Sequence, residues 1–93
     1  MSVETIEKRS TSRKLAPNYR VLLHNDDFNS MEHVVEVLVG NIPNMSPPHA
    51  INVIMEAHQY GMAMVIVCNQ EHAEHYCEIL KSNGLTSTIE PAE

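Results

Sequence analysis

The sequence predicts an α+β fold, a small two-layer α/β sandwich in which a three-stranded antiparallel sheet carries helices on one face. Apolar runs of strand length alternate with amphipathic helical patterns in the order β-α-α-β-α-β. Three helices for three strands are enough to cover one face of a single sheet. The 93 residues are 43% hydrophobic but only 4% aromatic, which suits one modest core of aliphatic side chains.

The N-terminal segment differs from the rest in composition and charge. Residues 1–16 have too few apolar side chains to pack, so we expect a flexible N-terminal arm followed by one core domain over residues 17–93. Residues 1–20 hold five of the six basic residues and two carboxylates, for a net charge of +3, whereas from Val21 onward ten carboxylates face Lys81 alone, for −9. An acidic body argues against nucleic acid as a partner, since phosphate binding needs clustered Lys and Arg.

The first strand and the first helix are separated by a polar triplet. Tyr19–His24 is apolar and β-branched, as expected for a strand, and residues 25–27 (NDD) end it. Asn29 stands three positions before Glu32, an arrangement like a capping box, so Asn29 is the expected start of a helix that ends between residues 41 and 44. The expected core face of this helix consists of Met31, Val34, Val35, Leu38 and Ile42.

The second helix has clear start and stop signals. Ser46 can cap it, Pro47 suits its first position, and Gly61 is a natural C-terminal stop. His58 lies one turn after Ile54, at the edge of the expected buried stripe. That stripe consists of Ala50, Val53, Ile54 and Ala57.

The remaining elements follow without a repeat. Met62–Cys68 is a nearly continuous apolar run, which predicts a central strand. Asn69 is the expected cap of a third helix that runs through Ser82 with Ala73, Tyr76, Cys77 and Leu80 inward, and residues 85–89 predict a last short strand. Two cysteines form no disulfide framework. The N-terminus lacks the apolar core of a signal peptide, and no apolar run has the length of a membrane span, so a cytoplasmic protein without membrane contact is expected.

The triplet Asn25, Asp26 and Asp27 has several interpretations. As an ordinary turn, it satisfies local backbone groups. As a calcium site it is weak, because no alternating oxygen ligands follow. If the end of the second helix abuts the end of the first strand, His58 joins the triplet, although a single His at such an edge is more often structural. An amide oxygen, a carboxylate and a neutral imidazole would then offer three acceptors to the three N–H donors of an ammonium group.

Apolar residues close to these acceptors could add a hydrophobic pocket to the ammonium site. Met31, Ile54 and Ala57 could line a pocket next to the acceptors, although such a stripe is more often ordinary core. A ligand with an ammonium next to a bulky apolar side chain would use both halves. The N-terminus of a polypeptide that begins with a large hydrophobic residue is such a ligand.

Two alternatives involve other chemistry. His72 and His75 share a helical face near Cys77, which raises the alternative of a small metal-binding domain, although Cys77 points elsewhere and a tetrahedral site would need further ligands. Cys68 or Cys77 with a distant His could form a nucleophile and base. Both cysteines fall at core positions and the chain has only three glycines, too few for a glycine cluster around an oxyanion. We therefore expect no enzyme, no cofactor and no bound metal.

Three segments of the chain resemble a known family. The stretch "YRVLLHNDDFNSMEHVVEVL", the later "AHQYG" and the closing "STIE" are similar to ClpS, the adaptor family that delivers N-end-rule substrates to a Clp AAA+ unfoldase and its peptidase. The similarity covers residues 17–90. It implies two partners, N-degron polypeptides and the N-terminal domain of an unfoldase of the ClpA or ClpC type. We expect a monomer, although the sequence does not fix the oligomeric state.

The resemblance also implies roles for individual residues. Asn25, Asp26 and His58 would bind the α-ammonium group of the substrate, and Met31 would disfavour β-branched first residues. The implied pocket for the first side chain consists of the Asp27 backbone, Asn29, Met31, Val34, Ile54, Ala57 and Leu85. The surface around Glu71 on the third helix would dock on the unfoldase, and the arm over residues 1–16 would engage it during transfer.

Some positions depart from the family pattern. Ala57 stands where relatives have Val, and Ile54 where they have Met, so the pocket should be wider and should favour Phe, Tyr or Trp over Leu. Tyr76 stands where a Lys is expected on the docking helix, and the loop over residues 41–48 is one residue longer. These differences leave the choice of unfoldase open.

Overall fold

The computed structural model describes residues 18–92 of the chain. The predicted arm over residues 1–16 lies outside this range. The described residues form three strands and three helices in the predicted order β-α-α-β-α-β. Their bounds are β1 Tyr19–His24, α1 Met31–Asn41, α2 Pro47–Tyr60, β2 Met62–Cys68, α3 Gln70–Ser82 and β3 Ser87–Pro91.

The sheet is antiparallel and its strand order is β2-β1-β3. The helices pack on one face of it, and the two-layer architecture predicted from the sequence is confirmed. Val21 and Leu23 of β1 point into the core between the layers, as alternate residues of a strand do. The helices contribute buried apolar side chains to the same core, among them Val34, Val37, Leu38, Ala50, Val53, Ala57, Ala73 and Leu80.

The prediction that Met62–Cys68 is a central strand is wrong. It is an edge strand, since only β1 pairs with it among the described residues. Val21 pairs with Ile66 and Leu22 with Met64, so Val65 is an extra residue, as in a β-bulge. The bulge changes which residues of the strand point into the core. Before and at the bulge these are Ala63 and Val65, and after it Ile66 packs against the core. This nearly continuous apolar run therefore leaves three of its side chains exposed, Met62, Met64 and Val67.

Each helix begins at a residue whose side chain accepts a hydrogen bond from the first turn. The N-caps are Ser30, Ser46 and Asn69, which accept from the backbone N–H groups of His33, His49 and His72. The expected N-cap Asn29 is therefore wrong by one residue. Its side-chain amide is instead directed at Asp26 and at the carbonyl of Gly84.

The last strand also begins later than predicted. The backbone N–H of Leu85 donates to the carbonyl of Leu80 at 3.0 Å, and this bond belongs to the end of α3. The Leu85 side chain is buried in the core, so β3 begins only at Ser87. None of the helices between residues 18 and 92 combines the length and the apolarity needed to cross a bilayer.

Candidate functional site

The end of β1 meets the end of α2, as is required if the triplet and His58 are to bind one ammonium group. Gly61 caps α2 in the left-handed conformation (φ 93°), and its N–H donates to the carbonyl of Ala57. The Gly61 carbonyl in turn accepts from the backbone N–H of Asn25 at 3.0 Å. This bond holds the polar triplet beside the last turn of α2, which carries His58.

A cavity of about 420 Å³ opens at this corner, a volume in the range of small-ligand sites. Its lining brings together all but one of the residues expected for the ammonium site and the pocket. The lining residues are Leu23, His24, Asn25, Asp26, Asp27, Asn29, Met31, Val34, Ile54, Met55, Ala57 and His58. Leu85 is the exception, because it lies in the core and does not line the cavity.

The carboxylate of Asp26 is held in place by its own neighbours. Its Oδ1 accepts from the backbone N–H groups of Phe28 at 3.0 Å and Asn29 at 3.1 Å. The side-chain amide of Asn29 donates to Oδ1 at 3.2 Å and to Oδ2 at 3.1 Å. Asp26 therefore shapes the turn. Oδ2 accepts only the Asn29 bond among residues 18–92 and keeps acceptor capacity for a ligand.

The other two polar groups of the corner are exposed and unengaged. Within residues 18–92, neither the side-chain amide of Asn25 nor the imidazole of His58 takes part in a hydrogen bond with another residue, and both residues are exposed. An amide oxygen and an imidazole nitrogen can accept without breaking an existing bond. The corner thus offers acceptors of three kinds around one opening.

The apolar wall has a buried floor and an exposed rim. Val34 and Ala57 are buried and Ile54 is half-buried. Met31 is 44% exposed and Met55 51% exposed, so two flexible thioether side chains, one from each helix, stand at the opening. A group that enters the cavity therefore meets both polar acceptors and apolar side chains.

The sequence interpretation missed Met55, Leu23 and His24 as lining residues. Leu23 and His24 directly precede the triplet, and their position at the strand end was a usable signal. Met55 lies outside the apolar stripe of α2, and only the packing of α1 beside α2 brings it to the rim.

The residues of α3 do not take part in this cavity. Glu71 is exposed in the first turn of α3, and it remains the expected centre of a docking surface. The rings of His72 and His75 lie beside Tyr76, with centroids 6.4 Å and 5.8 Å away, while Cys77 is buried. Between residues 18 and 92, no group of three or more His, Cys, Asp or Glu side chains is arranged to hold a metal ion. Burial raises the pKa of the Cys68 thiol, which favours the protonated, weakly nucleophilic form.

Asn29 joins the site to the turn between α3 and β3. Its amide donates to the Gly84 carbonyl at 2.9 Å while it also holds Asp26. Replacing Asn29 by alanine keeps its backbone N–H but removes these side-chain bonds, each worth about 1 kcal/mol. We expect the Asn29→Ala variant to bind an amine ligand roughly three- to tenfold more weakly, measured by isothermal titration with L-phenylalaninamide.

His33 offers a matched control for that prediction. Its Nε2 donates to the carbonyl of Asn83 at 2.8 Å, so it ties the same turn to α1 without contacting Asp26. The His33→Ala variant should unfold at a lower urea concentration but keep the ligand affinity of the parent. Equal losses of affinity in the two variants would contradict a specific role of Asn29 in orienting Asp26.

Comparisons with known proteins agree with this fold. The family model described as "ATP-dependent Clp protease adaptor protein ClpS" matches residues 14–88. The ClpS adapter protein of Synechococcus elongatus is 58% identical over 93 residues, which cover 98% of either chain. That of Gloeobacter violaceus is 54% identical over 91 residues, also 98% of either chain. The solved structure of Agrobacterium tumefaciens ClpS2 bound to L-phenylalaninamide matches with a TM-score of 0.74 and 36% identity over 82% of this chain and 98% of that chain.

The match spans nearly the whole of the described residues, including the triplet, both helices that flank the cavity and the first two residues of β3. The order of elements and the sheet agree with those of the solved relative. The family is that of an adaptor for a protease, not of a protease itself. The chain belongs to the ClpS family of ATP-dependent Clp protease adaptor proteins.

Proposed function

We propose that this adaptor binds the free N-terminus of polypeptides that begin with a bulky hydrophobic residue and delivers them to a Clp AAA+ unfoldase for degradation. The observation that carries the proposal is the composition of one cavity, which is lined both by Asn25, Asp26 and His58 and by apolar side chains of α1 and α2. The α-ammonium group and the side chain of a first residue are attached to the same α-carbon, so one ligand can contact the polar and the apolar residues of the cavity at once.

The polar side suits an ammonium group. Asp26 supplies negative charge, and Asn25 and His58 supply neutral acceptors, which together match three N–H donors. A charged donor strengthens each of these hydrogen bonds relative to a neutral one. In this proposal an acetylated N-terminus, which has lost its charge and two of its donors, is not a ligand.

The apolar side suits a large unbranched or aromatic side chain. Val34, Ile54 and Ala57 form the wall, and Met31 narrows the entrance against side chains that branch at the β-carbon. The ligand of the Agrobacterium tumefaciens relative, L-phenylalaninamide, combines an α-amino group with a phenyl ring. This supports a ligand of the same kind for the present chain.

Delivery requires a second contact, with the unfoldase. We propose that the exposed N-terminal part of α3 around Glu71 docks on the N-terminal domain of an unfoldase of the ClpA or ClpC type, and that residues 1–16 engage the unfoldase during transfer. The cavity and Glu71 lie on different elements, so a monomer can hold substrate and unfoldase together. No covalent chemistry, cofactor or nucleic acid takes part.

The proposal is tested with peptides that differ only in their first residue. Fluorescence anisotropy should give the tightest binding for Phe, Tyr and Trp, weaker binding for Leu, and the weakest for Ile and Val. The acetylated Phe peptide should not bind. Retention of binding after acetylation would contradict the ammonium contact, and equal or tighter binding of Leu than of Phe would contradict the predicted preference.

An Ala57→Val variant provides the matched control for the width of the pocket. Ala57 is buried at the cavity wall, and valine adds two methyl groups there. Each methylene-sized group contributes about 0.8 kcal/mol when buried, or roughly fourfold in affinity. The variant should therefore gain affinity for Leu relative to Phe, and an unchanged ratio would show that Ala57 does not set the preference.

A further inference from the structure

A second groove lies between α1 and α2, next to the first cavity. It has a volume of about 560 Å³ and is lined by Met31, Glu32, Val35, Glu36 and Ile51. Met31 lines both cavities, so the two openings share one wall. The family comparison and the proposed ammonium site assign no role to this groove.

The floor of the groove is apolar and partly exposed. Ile51 is 41% exposed and Val35 is half-buried against the core. Ile51 and Met55 are four residues apart on α2, and Met31 and Val35 four apart on α1, so each pair lies one above the other on its helix. The apolar surface therefore continues from the rim of the first cavity along both helices.

The rim of the groove is acidic. Glu32 and Glu36 are exposed one turn apart on α1, where like charges repel. The salt bridges among residues 18–92 are Arg20 with Glu90 and Lys81 with Glu78. Neither Glu32 nor Glu36 thus has a cationic partner within those residues, and a bound cationic side chain would relieve their repulsion.

We propose that this groove binds the second to fourth residues of the polypeptide whose first residue occupies the cavity, with a preference for apolar and basic side chains. The inference rests on the proposed function. A polypeptide that leaves the cavity over the shared Met31 wall enters the groove directly. An extended chain advances about 3.3–3.6 Å per residue and one helical turn is about 5.4 Å long, so two or three residues reach from Met31 to Val35.

The probes are L-phenylalaninamide and three peptides with Phe first. The residues after Phe are Gly-Gly-Gly, Leu-Leu-Lys or Leu-Leu-Glu. The full chain should bind the Leu-Leu-Lys peptide about tenfold more tightly than the Gly-Gly-Gly peptide, which corresponds to the burial of about two methylene groups. The Leu-Leu-Glu peptide should bind more weakly than the Leu-Leu-Lys peptide because of the acidic rim.

Two variants separate the apolar and charged contributions. Ile51→Gln should lose most of the gain from Leu-Leu and keep its affinity for L-phenylalaninamide, which also reports that it is folded. Glu36→Gln should reduce the difference between the Lys and Glu peptides. Val39→Gln is the control on α1, because Val39 is exposed but does not line the groove, and it should behave like the parent chain.

The two proposals fail in different ways. If the parent chain binds L-phenylalaninamide and all three peptides with equal affinity, this inference is overturned while the proposed function stands. If L-phenylalaninamide and the peptides bind no better than an acetylated Phe peptide, the proposed function itself is overturned. An unchanged preference for Leu-Leu-Lys in folded Ile51→Gln also overturns the inference.

Discussion

Replacing Asp26 by alanine should weaken the binding of a peptide that begins with Phe by at least about 30-fold. Truncating one partner of a hydrogen-bonded charge pair costs about 2–5 kcal/mol, and 2 kcal/mol corresponds to roughly that factor. The substitution also removes the acceptor of the Phe28 and Asn29 backbone N–H groups. Anisotropy titration of a labelled Phe peptide measures the effect.

Two further variants assign the loss to charge. Asp26→Asn keeps a side-chain oxygen for the backbone N–H groups but removes the negative charge, so it should still lose most of the affinity. Glu56→Ala removes a carboxylate from an exposed position on α2 outside the cavity lining, and it should bind as the parent does. Parental affinity in Asp26→Asn would rule out an ionic contact at this residue.

Replacing Leu38 by alanine should lower the free energy of unfolding by about 2–5 kcal/mol, the cost of removing a fully buried leucine and leaving a cavity. Leu38 is 0% exposed and is among the largest fully buried side chains. The free energy of unfolding of a whole domain is about 5–15 kcal/mol, so this substitution would remove a large part of it. Urea unfolding with linear extrapolation measures it.

The neighbouring Val39 is the matched control, since it is exposed on the same helix. Val39→Ala should change the free energy of unfolding by less than about 0.5 kcal/mol. Leu38 does not line the cavity, so the folded fraction of Leu38→Ala should bind a Phe peptide with parental affinity. Equal stability of the two alanine variants would contradict the assignment of Leu38 to the core.

The helices were predictable because their signals are local. Ser46 with Pro47 begins α2 and Gly61 ends it, as a side-chain acceptor, a fixed φ and a left-handed residue dictate. The capping of α1 was less predictable, because Asn29 and Ser30 can both cap a helix. Ser30 is the N-cap because the side chain of Asn29 donates instead to the carbonyl of Gly84, a residue 55 positions away in the sequence.

The strands were predictable in number but not in position. The run Met62–Cys68 contains no polar side chain to mark a solvent face, and this is why a central place was predicted for it. Among residues 18–92 it pairs with β1 alone and is therefore an edge strand, and a bulge at Val65 interrupts that pairing. Strand order depends on which segments meet in three dimensions, and an apolar run fits either place.

The sequence by itself determined the polar triplet, the amphipathic helices and the residue types of the proposed ammonium site. It could not determine that these types meet, because Asn25 and His58 are separated by more than 30 positions and are joined through a backbone bond from Asn25 to Gly61. The tertiary structure brought these residues to one cavity, and it placed Leu85 in the core, Met55 at the rim and a groove beyond Met31. The physical reason is that residue types and helical periodicity act within a few positions, whereas a cavity is the space left when distant elements pack.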